Sequence, residues 1–197
     1  MPKQIDHDQR KQRIAEATWR VILRDGMSGA TVRNIAREAN ISPGSLRNDF
    51  PSQESLLQHA MTLVKERAGE RILTIANQEL PPREKVLGML MEIVPTDEQT
   101  RAEMEVWFVF TAHYSHQRER FDTGFDGIRN MIRLIIHQLQ ELDLLKPDVH
   151  LELEVEKLYA LVDGLALHAM LDPGRLDRSQ IKAVLESHLS SVCLFSS

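Results

Sequence analysis

Residues 31–50, TVRNIAREANISPGSLRNDF, constrain this chain more tightly than any other segment. Two short runs with helical period flank a joint at ANIS. Thr31 can cap the first run, whose Val32, Ile35 and Ala36 fall on one face. Ala36 is small enough to let a second helix cross close to it. Asn40 is among the few non-glycine residues that accept a left-handed backbone, so it can end one helix tightly. Ser42 then caps the next helix, with Pro43 at its first position, where a missing N–H does no harm. Leu46 and Phe50, four apart, bury the inner side and leave Ser45, Arg47 and Asn48 pointing outward. The pattern predicts a helix-turn-helix whose second helix is free to enter a DNA major groove. The alternative on these residues alone is a helical hairpin that merely packs.

Nearly every other long segment also carries the helical period, and none shows sustained alternation with hairpin turn pairs. Ile14, Ala17, Val21 and Ile22 make one stripe that ends near Asp25 and Gly26. After Phe50 and Pro51, Ser52 can cap a long helix running to about Leu80, with Gly69 able to weaken its middle. Pro82 suits the first turn of the next helix, and Thr96 or Asp97 the cap of another. LLKPDVH and LDPGRLDRSQ mark the last two joints. The expectation is an all-α chain of eight or nine helices. A three-helix domain over residues 1–51, extending into the first turns of the connecting helix, precedes a larger helical domain over 52–197.

Charge is unevenly spread along that plan. Residues 1–50 hold nine Lys and Arg against six Asp and Glu, a balance of +3, which leaves −8 for the remainder of a chain whose formal net charge is −5. A basic head on an acidic body fits a small nucleic-acid-binding module joined to a larger body that does not touch nucleic acid. The lone cysteine, Cys193, rules out an intrachain disulfide and fits a reducing interior. The N-terminus has no apolar core of the signal-peptide kind, and no apolar stretch is long enough for a membrane span. A cytoplasmic location is expected, without membrane association.

Residues from about 8 to 67 resemble the DNA-binding domain of the TetR family of transcriptional regulators. The resemblance is carried by Gly26, Thr31, Val32, Ile35, Ala36, Ala39, Ser42, Gly44, Leu46 and Phe50, then Pro51, Ser52, Leu56 and Leu57. It implies that Thr31, Ser45 and Arg47 meet DNA phosphates, while Pro43, Gly44 and Asn48 lie nearest the bases. Arg33 and Ser42 complete the expected contact set. The chain departs from the family pattern at four places. Asn40 stands where Gly is usual, Arg47 where Tyr is frequent, Asp49 near a usual Tyr or His, and Gln53 where many relatives carry a phosphate-binding Lys. The acid at Asp49 and the missing cation at Gln53 are expected to soften attraction to the DNA backbone.

The stretch EMEVWFVFTAHYSH packs Trp107, Phe108, Phe110 and Tyr114 into barely two turns, a cluster that reads first as core. The resemblance implies a small-molecule pocket among the middle helices, for which Met89, Met104, Trp107, Phe108, Thr111, Phe125 and Met131 are the candidate walls. His113 and His116, with Glu119 beyond, share a helical face but compel no third ligand, so no metal is expected. No nucleophile–base pairing or phosphate loop is visible, and neither a cofactor nor catalysis is expected.

The last two predicted helices carry apolar stripes at Leu161, Leu165 and Leu167 and at Ile181, Val184, Leu185, His188, Leu189 and Val192. Two such helices from each of two chains could close a four-helix interface, or they could simply finish the core of one chain. Residues 104–171 further resemble the BetI-type regulatory domain, through Glu105, Trp107, Asp163, Gly164 and Leu165. The expected whole is a ligand-responsive DNA-binding regulator, a homodimeric repressor on a palindromic operator that a small-molecule effector releases. An all-helical adaptor that binds no DNA is the alternative, and a small helical enzyme a more distant one.

Overall fold

The computed structural model describes residues 2–114 and 127–195, with side chains from His7 onward. Nine helices occupy the described residues: α1 (Pro2–Gly29), α2 (Val32–Glu38), α3 (Pro43–Asp49), α4 (Gln53–Ala76), α5 (Pro82–Met91), α6 (Glu98–Tyr114), α7 (Gly127–Glu141), α8 (Leu151–Leu171) and α9 (Arg178–Val192). The caps explain most of these boundaries. Ser52 Oγ accepts from the Ser55 amide 3.0 Å away and opens α4. Asp97 Oδ1 accepts from the Thr100 amide at 2.8 Å and opens α6. Asp177 and Gln180 close a reciprocal capping box at the start of α9.

Two ends differ from the sequence expectation. The chain leaves helical geometry at Gly26 (φ 68°, ψ −177°), a backbone that glycine adopts without strain, and one further turn carries it to Gly29. Helix α4 stops at Ala76 rather than near Leu80, because the double proline at 81–82 forces extended backbone ahead of it. Gly69 leaves α4 unbroken.

The chain forms two compact units, residues 1–67 with 102–124 and residues 68–101 with 125–197. The first includes the first turns of α4 and, beyond them, residues of α6. Leu56, Leu57, Ala60, Met61, Leu63 and Val64 of α4 join one buried cluster with Ile14, Val21 and Ile22 of α1, Ile35 of α2 and Leu46 and Phe50 around α3. Without that floor, α1 and the two seven-residue helices after it could bury little apolar surface. The Trp19 indole N–H donates to the Ala60 carbonyl at 2.9 Å, fixing α1 on α4. Val106, Phe110 and Tyr114 of α6 are buried in the same cluster, as the core reading of the aromatic stretch expected, while Trp107 packs at its edge.

The second unit is built around Leu90, Ile132, Ile136, Leu158, Ile181 and Leu185, from α5, α7, α8 and α9. Helix α7 packs on α8, and α5 on α9. A short antiparallel bridge between Leu145 and Cys193 ties the turn after α7 to the end of α9. There the Lys146 ammonium donates to the Ser191 carbonyl at 2.7 Å, a cation on the negative end of α9.

Candidate nucleic-acid interface

Helix α3 starts as its sequence dictates. Ser42 takes extended backbone, its Oγ accepts from the Ser45 amide at 3.1 Å, and Pro43 occupies the first turn. Ahead of it, Asn40 adopts φ 55° in the turn, as expected of a residue standing where glycine is usual. The Ile41 amide then reaches back to the Ala36 carbonyl at 2.9 Å and closes the end of α2. Leu46 and Phe50 are buried, whereas Pro43, Gly44, Arg47 and Asn48 are exposed. A short, capped, polar-faced helix is thus offered outward.

The charges around it are sorted by partner. Arg20 and Arg24 both close on Glu38, with N···O distances of 2.8 and 2.9 Å, and Arg67 pairs with Glu16. Among the described residues, exposed Arg33 and Arg47 meet no carboxylate. Their charge remains available for phosphate. Thr31 and Ser42 carry a structural duty besides any contact with DNA, since the Thr31 hydroxyl oxygen accepts from the Asn34 amide at 3.3 Å and caps α2.

Two of the departures from the family pattern have local explanations. Asp49 is not an acid turned toward DNA: its carboxylate is 8% exposed, accepts from Arg10 Nε at 2.9 Å and lies 3.7 Å from His7 Nε2. The expected repulsion is therefore largely neutralised within the protein. Arg10 also donates to Ser45 Oγ at 2.6 Å, which leaves the hydroxyl hydrogen of Ser45 to donate to the expected phosphate. The Gln53 amide donates to the Ala30 carbonyl at 2.8 Å, so this residue ties the start of α4 to the approach of α2. Nothing in the sequence pointed to Arg10, because its partners lie 35 and 39 residues away.

The candidate effector residues are less uniform. Met89 is core of the second unit and Met131 packs against that core. Met104, Trp107, Phe108 and Thr111 are partly buried on α6. Thr111 Oγ1 is buried without a hydrogen-bond partner among the described residues, and the Lys65 ammonium sits 5.7 Å from the centre of the Trp107 ring. Phe125 lies outside the described residues, as do His116 and Glu119.

The expected dimer residues fall into two groups. Leu165, Ile181, Leu185, Leu189 and Val192 are buried in the core of their own chain, against α7 and α5. Leu167 and Val184 are exposed, and Leu161 is partly buried. His188 turns inward, its Nε2 2.7 Å from the carboxylate of buried Glu154, which Lys157 approaches at 3.6 Å. Outside, an open groove of about 470 Å³ is lined by Leu161, Ala183, Val184, Ser187, His188 and Ser191. Buried Cys193 is a poor nucleophile, because burial, with Glu154 nearby, pushes its thiol up to about 11.

Comparisons with known proteins agree with this geometry. Residues 14–60 match the family model described as bacterial regulatory proteins, tetR family, and residues 82–194 match that of the BetI-type transcriptional repressor, C-terminal. The chain is 55% identical over 194 residues to the HTH-type transcriptional regulator PksA of Bacillus subtilis, covering 98% of this chain and 95% of that protein. It is 28% identical to the regulator BetI of Vibrio atlanticus, over 99% and 97% of the two chains. Among solved structures, a transcriptional regulator from Saccharomonospora viridis in complex with choline superposes with a TM-score of 0.81 at 21% identity, over 95% of this chain and 100% of that one. A transcriptional regulator from Rhodococcus does so with a TM-score of 0.75 at 20% identity, over 95% and 99%. These relatives are regulators rather than enzymes. With its outward α3 and the family models matched in both halves, the chain belongs to the TetR family of bacterial transcriptional regulators, joining a DNA-binding helix-turn-helix to a BetI-type ligand-binding domain.

Proposed function

We propose that the protein is a repressor that binds a palindromic operator as a homodimer and is released by a small-molecule effector. The observation that carries this reading is the α3 face: Gly44, Arg47 and Asn48 exposed on a helix capped by Ser42, with Arg33 and Arg47 lacking carboxylate partners among the described residues. In this reading Arg33 and Arg47 neutralise phosphates, helped by the Thr31 and Ser45 hydroxyls. Pro43, Gly44 and Asn48 lie against the base edges, and Ser42 sets where the helix begins. Reading of DNA belongs to residues 1–51 with the first turns of α4, and effector binding and pairing belong to residues 52–197.

Pairing runs along the outer surfaces of α8 and α9, where Leu161, Leu167 and Val184 offer apolar surface beside the small residues of the groove. Two copies of α3 would then lie roughly 34–36 Å apart, one turn of DNA. The Thr111 hydroxyl beside Trp107, which has no hydrogen-bond partner among the described residues, supports an effector that hydrogen-bonds to α6. Choline, bound by the neighbour from Saccharomonospora viridis, is the first compound to try. Release requires only that the effector prefer a dimer shape whose α3 helices miss successive grooves, and a hundredfold preference corresponds to about 2.7 kcal/mol. Helices α4 and α6, each contributing to both compact units, are the natural carriers of that change.

Val184→Asp tests the pairing surface. Val184 is 38% exposed, so the substitution leaves the core of the chain intact. Sedimentation should show a shift to monomer together with loss of specific DNA binding. A variant that remains dimeric and binds DNA as before would remove this face from the interface.

A further inference from the structure

We infer that Arg10 is a positioning residue for DNA reading, holding α3 at a fixed roll through Asp49 and Ser45. The inference rests on the DNA-binding role of α3. A seven-residue helix is too short to hold its own geometry, and its orientation must come from what it touches. Leu46 and Phe50 hold the inner side and the Ser42 cap holds the start. Those contacts leave rotation about the helix axis least constrained, since apolar contacts are not directional.

Arg10 supplies the missing direction. Its Nε donates to Asp49 Oδ2 at 2.9 Å and its terminal nitrogen to Ser45 Oγ at 2.6 Å. Ser45 and Asp49 are four residues apart, one above the other on a single helical face, so one planar guanidinium spans a full turn of α3. A rigid fork bound at two points fixes an angle, which a single contact would not. The carboxylate is almost covered, and His7 stands on its other oxygen. Arg10 comes from α1, so the first turns of α1 become a strut for the helix that reads DNA.

A sign distinguishes this strut from simple electrostatics. If Asp49 acted as a free acid near phosphate, Asp49→Asn would tighten DNA binding and do so most at low salt. If it anchors the strut, Asp49→Asn loosens specific binding although it removes a negative charge. Asp49 is nearly covered while Arg10 is 37% exposed, so urea unfolding of each variant separates lost stability from lost orientation, which falls on sequence discrimination.

The experiment compares wild type, Asp49→Asn, Arg10→Gln, Arg10→Lys and the Asp49→Asn/Arg10→Gln double variant. Each is titrated with a selected operator duplex and with a scrambled duplex over a range of salt. Amide exchange of α3 is measured without DNA. Each single loss should weaken operator binding roughly tenfold while barely changing scrambled binding, and the double variant should be no weaker than either. Arg10→Lys should recover part of the loss, and the salt slope of Arg10→Gln should match that of wild type. Exchange at α3 should accelerate in both single variants.

Tighter binding by Asp49→Asn, additive losses, or a shallower salt slope in Arg10→Gln would overturn the inference, the last by making Arg10 a phosphate contact. A wild type that prefers no duplex would sink the DNA-binding role instead. In that event unchanged exchange at α3 would still refute the strut, and accelerated exchange would uphold it.

Discussion

Replacing Arg47 by Ala isolates the electrostatic part of DNA binding. Arg47 is exposed on α3 and has no carboxylate partner among the described residues, so its whole charge is available to phosphate. A homodimer carries two copies. Each phosphate contact contributes about 0.9 to the slope of log affinity against log salt, so the variant should be shallower by about 1.8. Over the fourfold range from roughly 50 to 200 mM salt, the affinity gap between wild type and variant should therefore shrink about twelvefold. Fluorescence anisotropy of a labelled operator at several salt concentrations gives both slopes directly. Arg20→Ala is the control, because Arg20 already pairs with Glu38 at 2.8 Å and is not part of the proposed contact set. Its line should run parallel to that of wild type. Parallel lines for Arg47→Ala as well would refute the placement of Arg47 on a phosphate.

Further outcomes concern packing and titration. His59 lies beneath Phe50, ring centres 5.1 Å apart, and its Nε2 is buried without a hydrogen-bond partner among the described residues. Burial, reinforced by Lys11 and opposed by Glu66, holds its imidazole below the ordinary histidine range. The unfolded chain therefore takes up the proton first as pH falls below about 6.5, and this contribution to stability, complete above that pH, declines towards the lower folded value. Urea unfolding of the His59→Gln variant should show a smaller loss of stability between neutral pH and pH 5 than wild type, and equal losses would contradict the assignment. Leu185 is fully buried, so Leu185→Ala should cost about 2–5 kcal/mol in chemical denaturation. Val184→Ala, one residue away on the outside of α9, should cost a small fraction of that.

Local geometry was the part of this molecule most legible in the sequence. Thr31, Asn40, Ser42 and Pro43 act through their own backbone and near neighbours, and each adopts the expected conformation. The apolar period placed Leu46, Phe50, Ile181, Leu185 and Leu189 on buried faces. What periodicity could not supply is the partner a stripe meets: the α9 stripe was read first as a surface for a second chain, whereas Ile181, Leu185 and Leu189 lie in the core of this one. The same limit applied to Asp49 and Gln53. Read singly they are an acid and a missing cation, whereas their functions depend on Arg10 and Ala30, brought near only by the fold. Helix ends governed by a downstream proline, as at Ala76, were legible to within a turn.

The spacing of the DNA half-sites tests most directly the claim that two α3 helices read one duplex together. Random duplex DNA is selected by the purified protein, the bound pool is sequenced, and the complex is weighed by sedimentation. The account expects an inverted repeat whose half-site centres lie about 10–10.5 base pairs apart, or a multiple of that, with an even number of chains on each site. Enrichment of a single half-site by one chain, or no enrichment at low salt, would contradict it.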